Sequence, residues 1–519
     1  MPTQTLWLLL MAPLALALIG LIPTAAANAR PLAMAHWARL AAMANVGAAV
    51  VMAIVLVAKG ALYTPSLPGF GLWFDSLTGV MFLLVSFVGA IVVHYSRNYM
   101  AGDPDHGRFT KWLCFTLASV LLIIISGNLV QFALAWIATS IGLGRLLVFY
   151  RNRPAAILAA RKKFVASRIG DLCIAAAMVM LYQTFGGLDY ATLFAGAEAL
   201  EATPGAVHAA AGLFVAAALL KSAQFPLHGW LIEVMETPTP VSALLHAGII
   251  NAGGFLLLRF SGIVGLSTPA LDVLVLVGGF TALFGSVVML TQSSVKVSLA
   301  WSTIAQMGFM MLQCGLGAWS AALLHIVAHS LYKAHAFLSS GSVVDLARAS
   351  WSPSPGGQPH PARMGIAVGL VLAVTLLVGT VFGATINEQP AVFALGAIML
   401  LGLTHLIAQS IDERPNSLVV VRTLGLTLLV ATAYFGLQWG AAQLVAGAVP
   451  ANAPARGLAT LIAVLMVVAA FAAVTVWQST LARSGGSPRW QALHVHVANG
   501  YYVNTIANRL VLRLWPTGR

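Results

Sequence analysis

Apolar runs of about 17–25 residues recur along nearly the whole of this chain, and that recurrence leaves it few ways to fold. Within a bilayer every backbone polar group must be paired inside the protein, so runs of this kind fold as helices. Only 8% of the 519 residues are charged and 60% are hydrophobic, with a mean hydropathy of +0.90. A soluble domain is roughly a quarter charged. The reading is an all-α integral membrane protein with about 14–15 transmembrane helices, some of them broken. Spans are expected to begin near residues 5, 37, 73, 111, 128, 164, 208, 239, 270, 297, 318, 364, 391, 420 and 457. The first lacks a basic leader and a convincing cleavage site, and is read as retained.

The net charge of +13 invites a nucleic-acid partner, but the positions of the cations argue against one. They cluster in alternate loops: Arg97, Arg108 and Lys111; Arg151, Arg153, Arg161, Lys162 and Lys163; Arg348 and Arg363; Arg483 and Arg489. The intervening loops hold little beyond Lys59, Arg259 and Arg456. Under the positive-inside rule the N-terminus lies outside and the tail in the cytoplasm. A polytopic domain of residues 1–483 is followed by a basic amphipathic tail of 484–519, too polar to span, which lies on the membrane surface or docks on a partner.

Chemistry of other kinds finds little support. Cys114, Cys173 and Cys314 have no ligand spacing, so no metal site is expected. The sequence contains no phosphate loop, dinucleotide fingerprint or CxxC, so no cofactor is expected, and the chain reads as a transporter subunit and not an enzyme.

Against this background Lys221 stands out, about ten apolar or small residues into a span. A cation at mid-bilayer costs roughly 2.5–3.5 kcal/mol on the most lenient insertion scale. The plainer alternative is a lysine reaching back to the headgroups; a proton-handling residue explains the cost better, because lysine readily changes charge when buried. Pro226 is expected to break the helix after Lys221, and Pro238 and Pro240 mark the start of the next span, which carries His246. On a later helix His325, His329 and Lys333 share one face at i, i+4 and i+8, with His335 close by. Four titratable groups within eleven residues of a span suggest a relay. Arg168 and Asp171, three apart, are candidates for a structural ion pair. Glu233 and Glu236 are candidates to gate or feed Lys221; a solvated loop is the alternative. The lysine-bearing stretches around Lys221 and Lys333 hint at inverted repeats meeting at a midplane site.

KSAQFPLHGWLIEVMETPTPVSALLHAG, SVKVSLAWSTIAQMGF, LLHIVAHSLYKAHAFLSSGSVV and FVASRIGD together resemble the antiporter-like subunits of respiratory complex I and of multisubunit Mrp cation/proton antiporters. The resemblance is strong over roughly residues 70–345. It implies an antiporter-like fold of inverted repeats, with Lys221 as the central proton carrier and His246, His325, His329 and Lys333 on the polar axis. Two departures matter: where the family places a glutamate after the tryptophan of the fifth span, this chain has Ile137, and where it carries a charged residue on a late broken helix, VFGATINEQP offers only Asn387 and Glu388 near the span end. The tail HVHVANGYYVNTIANRL is similar to that of a third branch, the membrane subunits of DAB-type inorganic-carbon uptake systems of bacteria. That resemblance implies a hetero-oligomer in the bacterial inner membrane, in contact with lipid. In it a proton or sodium gradient drives a large zinc-containing, carbonic-anhydrase-like partner on the cytoplasmic face. The alternatives are an ion-translocating subunit of an Mrp antiporter or an NADH dehydrogenase complex, and a non-conducting membrane anchor.

Overall fold

In a computed structural model the apolar runs become helices, and every expected span start falls within or beside one. The structure describes residues 2–64, 69–150, 152–234, 237–341, 360–411, 417–451, 458–484 and 487–516. Arg151, Arg348, Arg456 and Glu236 lie outside the described residues.

The first group of helices comprises α1 (Pro2–Leu21), α2 (Thr24–Ala29), α3 (Pro31–Lys59), α4 (Ser76–Tyr99), α5 (His106–Ile125), α6 (Leu129–Leu147), α7 (Pro154–Phe185) and α8 (Tyr190–Glu198). A two-stranded antiparallel hairpin, β1 (Leu62–Tyr63) and β2 (Trp73–Phe74), joins α3 to α4. The central group is α9 (Gly205–Lys221), α10 (Gly229–Glu233), α11 (Thr239–Ala247), α12 (Ala252–Arg259), α13 (Ser261–Val264), α14 (Thr268–Met289), α15 (Val295–Gly315) and α16 (Trp319–Leu338). There follow α17 (Pro361–Val381), α18 (Pro390–Leu401), α19 (Thr404–Ser410), α20 (Ser417–Leu444), α21 (Leu458–Ser484), α22 (Pro488–Ala498) and α23 (Val503–Leu514).

Among the described residues, ten helices are long and apolar enough to cross a bilayer, and the pair α18–α19, bent by 49°, makes an eleventh. Shorter apolar helices cover Leu9–Leu21, Gly205–Lys221 and Val464–Trp477. Helix α16 is outside this apolar set because three histidines and a lysine lower its hydropathy, yet it is packed between α11, α15 and α20.

One continuous apolar core extends from α1 to α16, and a second joins α17, α18 and α20. Small residues bring helices into backbone contact, as they do wherever apolar burial alone cannot distinguish a helix from lipid. A Cβ at Gly278 of α14 would lie 2.6 Å from the backbone nitrogen of Leu312 on α15, so this crossing tolerates no side chain there.

Polar contacts fix the register where the bundle is irregular. Asp75 caps α4 by accepting from the Thr78 backbone N–H at 2.8 Å, and it pairs with Arg259 at the end of α12 at 2.6 Å. Arg259, assigned from sequence to a loop, is 3% exposed and also donates to Thr78 Oγ1. The same correction applies to Lys162 and Lys163. They are not loop cations but buried residues of α7, whose 32-residue length carries the helix past the apolar run.

Candidate functional site

Helix α9 ends at Lys221, and the chain turns through Ser222–His228 before the short α10. Pro226 lies in that turn; Pro238 precedes α11, and Pro240 occupies its first turn, where a missing N–H costs nothing. The following span is interrupted as well: α11 stops at Gly248, a single 3₁₀ turn covers Ile249–Asn251, and α12 resumes. Two interrupted helices therefore lie beside each other, and Ser222 Oγ donates to the Ile250 carbonyl at 2.9 Å, linking the breaks. Irregular backbone is tolerated at this depth only where protein or water satisfies it.

The Lys221 ammonium is buried. It donates to Ser140 Oγ at 3.1 Å and sits 4.3 Å from the centroid of the Trp136 ring, a cation–π contact. Both partners come from α6, one turn apart. The backbone carbonyl of Ser140 accepts from Lys163 Nζ at 2.9 Å, so one serine joins two buried lysines. Ile137 lies on α6 between these contacts, three residues before Ser140 and half-buried. Arg168 and Asp171 pair at 2.7 Å.

A second polar cluster surrounds Lys333. Its ammonium is fully buried and donates to the Leu299 carbonyl at 3.1 Å. That carbonyl also accepts from Thr303 Oγ1, which is 2.9 Å from His246 Nδ1; the His246 ring stacks on Phe337 at 4.3 Å. Asn251, in the 3₁₀ turn, donates to Ser330 Oγ at 2.8 Å, one turn before Lys333. Asn251 follows Ile250, the residue bonded by Ser222, so polar groups lead from Lys221 through both helix breaks to Lys333.

His325 and His329 continue this line along α16, their rings 5.9 Å apart. Both line a cavity of about 490 Å³ with Gln306, Gln313, Tyr434 and Gln438. Among the described residues, the His329 ring nitrogens, His325 Nε2 and the Tyr434 hydroxyl have no hydrogen-bond partner. Buried polar atoms of this kind are commonly satisfied by water, and the cavity has room for many molecules. His335 is not part of the cluster: two residues beyond Lys333, it points away and is exposed.

Glu233 is not in a solvated loop. It pairs with Lys162 at 2.7 Å, and its other oxygen accepts from Asn504 at 3.0 Å and Asn508 at 2.7 Å. Lys162 also donates to both asparagine side chains at 2.6 Å. The tail thus packs the Asn504–Asn508 edge of α23 onto α7 and α10 of its own chain, leaving Ile506, Leu510 and Leu514 exposed.

Sequence reasoning missed Ser140, Lys162, Lys163, Asn251, Thr303 and Ser330. For the two lysines a signal existed: Ala159, Lys162, Lys163 and Ala166 follow helical spacing, and all four are buried.

Residues 126–350 match the family described as NADH:quinone oxidoreductase/Mrp antiporter, transmembrane, and residues 68–110 match NADH-ubiquinone oxidoreductase (complex I), chain 5 N-terminus. The "Probable inorganic carbon transporter subunit DabB2" of Halothiobacillus neapolitanus is 42% identical over 448 residues, covering 85% of this chain and 80% of that protein. The corresponding DabB subunit of Hydrogenovibrio crunogenus is 37% identical, over 84% of this chain and 82% of its own. NADH-quinone oxidoreductase subunit L of Mycobacterium tuberculosis is 41% identical, but over 53% of this chain and 44% of its own. A subunit of the Mrp complex from a Dietzia species superimposes with a TM-score of 0.66 at 23% identity, covering 98% of this chain and 60% of that one, which establishes a shared fold.

Proposed function

Because the chain belongs to the family of ion-translocating, antiporter-like membrane subunits that includes the DabB inorganic carbon transporter subunits, we propose that it conducts protons, or sodium ions, down their gradient and couples that flow to inorganic-carbon uptake. The observation that carries this reading is the polar line from Lys163 and Lys221, through the paired helix breaks, to Lys333 and the histidine-lined cavity. A buried cation at membrane depth is costly and is retained where charge must move. Lysine suits the role because it exchanges a proton when its surroundings change.

In this reading Lys221 is the central carrier. Ser140 and the Trp136 ring, on the helix where the family places a glutamate, hold its ammonium. Asn251 and Ser330 share a hydrogen bond in the interval between the two lysines, and His329 and His325, on the helix of Lys333, line the cavity. Such a line moves protons by rearranging hydrogen bonds, with water filling the gaps.

The chain itself does no covalent chemistry on carbon. That step falls to a soluble, zinc-containing, carbonic-anhydrase-like subunit on the cytoplasmic face of the inner membrane, docked on the outer side of the tail. The match to the DabB subunits over most of both chains supports this over a respiratory subunit, where the match covers about half. The test is to purify the tagged chain from native membranes and measure bicarbonate accumulation in the same cells. Co-purification of a zinc-containing partner, with accumulation collapsed by an uncoupler, is expected. Co-purification of respiratory subunits, with accumulation insensitive to uncoupler, would overturn the proposal.

A further inference from the structure

A cavity of about 850 Å³ opens between α5, α6 and α7, with Trp515 of the tail closing part of its rim. Its charge is one-sided. Arg108, Arg145, Arg161, Lys163 and Arg168 line it, against one carboxylate, Asp105. Two of the cations are neutralised: Arg108 pairs with Asp105 at 3.0 Å and Arg168 with Asp171 at 2.7 Å. The other three are held in place by groups that carry no negative charge. The Arg145 guanidinium lies 5.6 Å from the Trp112 ring centroid, and Arg161 lies 4.9 Å from that of Trp515 while donating to the Trp515 carbonyl. Lys163 bonds the Ser140 carbonyl. Among the described residues none of the three has a carboxylate within ion-pair distance.

Three cations converging on one partly enclosed space without counter-charge make an arrangement that an anion stabilises. The shape narrows the choice. Liquid water occupies about 30 Å³ per molecule, so an inorganic oxyanion the size of a few waters would leave most of this cavity unfilled. The walls between the cations are apolar and aromatic, from Trp112, Phe164 and Ile157. The location fits as well. Arg108 is in the first turn of α5 and Arg145 in the last turn of α6, antiparallel neighbours, so the basic residues gather at one end of the bundle, at headgroup level. Basic pockets between transmembrane helices at that level recognise anionic lipid headgroups.

We propose that this cavity is a binding site for a phosphate-type anion, filled in the membrane by the headgroup of an anionic phospholipid whose glycerol and upper acyl chain lie along the aromatic wall. Arg145 and Arg161 take the phosphate through paired N–H donors, the geometry at which guanidinium excels. Lys163 completes the charge at the inner end. It shares Ser140 with Lys221, so the bound headgroup sits three hydrogen bonds from the central lysine.

The test uses the purified full-length chain in a neutral detergent, with native mass spectrometry counting retained lipid. Dioleoyl phosphatidylglycerol, dioleoyl phosphatidylcholine and inorganic phosphate are added separately and in competition. The wild type is expected to retain phosphatidylglycerol selectively. Arg145→Gln combined with Arg161→Gln is expected to lower that affinity about thirtyfold, equivalent to about 1 kcal/mol for each charge near an anionic surface. Arg145→Lys with Arg161→Lys keeps the charges and should keep most of the binding, which separates lost charge from lost fold. If the glutamine pair does not fold, Arg161→Gln alone is measured, with an expected loss of about fivefold. Displacement of the lipid by millimolar phosphate would confirm the anion site and assign its occupant to free oxyanion. Equal retention of the two lipids by the wild type, or undiminished phosphatidylglycerol affinity in the glutamine variant, would overturn the proposal.

Discussion

Replacing Glu233 by glutamine is predicted to free the tail from the membrane core. Glu233 and Lys162 have side chains only 13% and 8% exposed, and Lys162 has no second carboxylate within ion-pair distance among the described residues. Removing one partner of a buried pair costs about 3–5 kcal/mol because the other charge is left uncompensated. The asparagine bonds to Glu233 are also charge-assisted and lose strength when the acceptor becomes a neutral amide. Within α23 no residue is fully buried, so apolar contact contributes a minor share there, while Arg161 holds the Trp515 carbonyl just beyond its end. The cost of the broken pair falls on the core, where both Lys162 and Glu233 lie; taking about 1 kcal/mol lost at each of the two asparagine bonds, the ratio of docked to free tail falls about thirtyfold. Hydrogen–deuterium exchange over residues 503–514, with trypsin cleavage at Arg509 and Arg513 as a second readout, measures this directly. Exchange there should rise about thirtyfold in Glu233→Gln and remain unchanged over α14 and α15. Adding Lys162→Met removes the two lysine–asparagine bonds as well and should raise exchange further. Equal exchange in Glu233→Gln and wild type would show that the tail is held by something other than this cluster.

Further outcomes follow from the same geometry. Asp75→Asn removes the charge that holds Arg259 and weakens the cap of α4, so it should lower unfolding stability in detergent by about 3–5 kcal/mol; a loss below about 1 kcal/mol would mean the pair is not buried as described. Ile137→Glu places a carboxylate three residues before Ser140, where it should pair with Lys221 and slow ion flux, because a relay must release as well as bind. Unchanged flux and an unchanged pH profile at normal expression would show that position 137 does not face Lys221. Truncation after Arg489 should release the soluble partner while the membrane core stays folded; an intact complex without the tail would refute docking through it.

The spans were legible because a bilayer-length apolar run has one solution, and even the polar α16 was found from its periodic histidines and apolar remainder. Lys221 was legible for the opposite reason, as a cation in an apolar run. Lys162, Lys163 and Arg259 misled because a cation at the end of an apolar run looks the same whether it faces water or folds back into the protein. Only tertiary structure separates the two cases, through Glu233, Ser140 and Asp75. Asn251, Thr303 and Ser330 carried no signal, since isolated small polar residues are ordinary in such helices. His335 sits only two residues from Lys333, but a helix turns about 200° over that distance, which puts it on the far face. The docking of the tail was hidden as well. It depends on two asparagine amides meeting a lysine and a glutamate from distant parts of the chain, and amphipathicity alone predicts a membrane or partner surface.

The most direct test of the central claim is proton flux through Lys221→Met. The complex is reconstituted in liposomes with a pH-sensitive dye inside and a potassium diffusion potential imposed across the membrane. Methionine keeps the length and apolar stem of lysine and removes the titratable charge, so assembly should be normal. The account predicts that flux falls to the level of empty liposomes while the partner still co-purifies. Wild-type flux in Lys221→Met would contradict it and leave the buried lysine a structural residue.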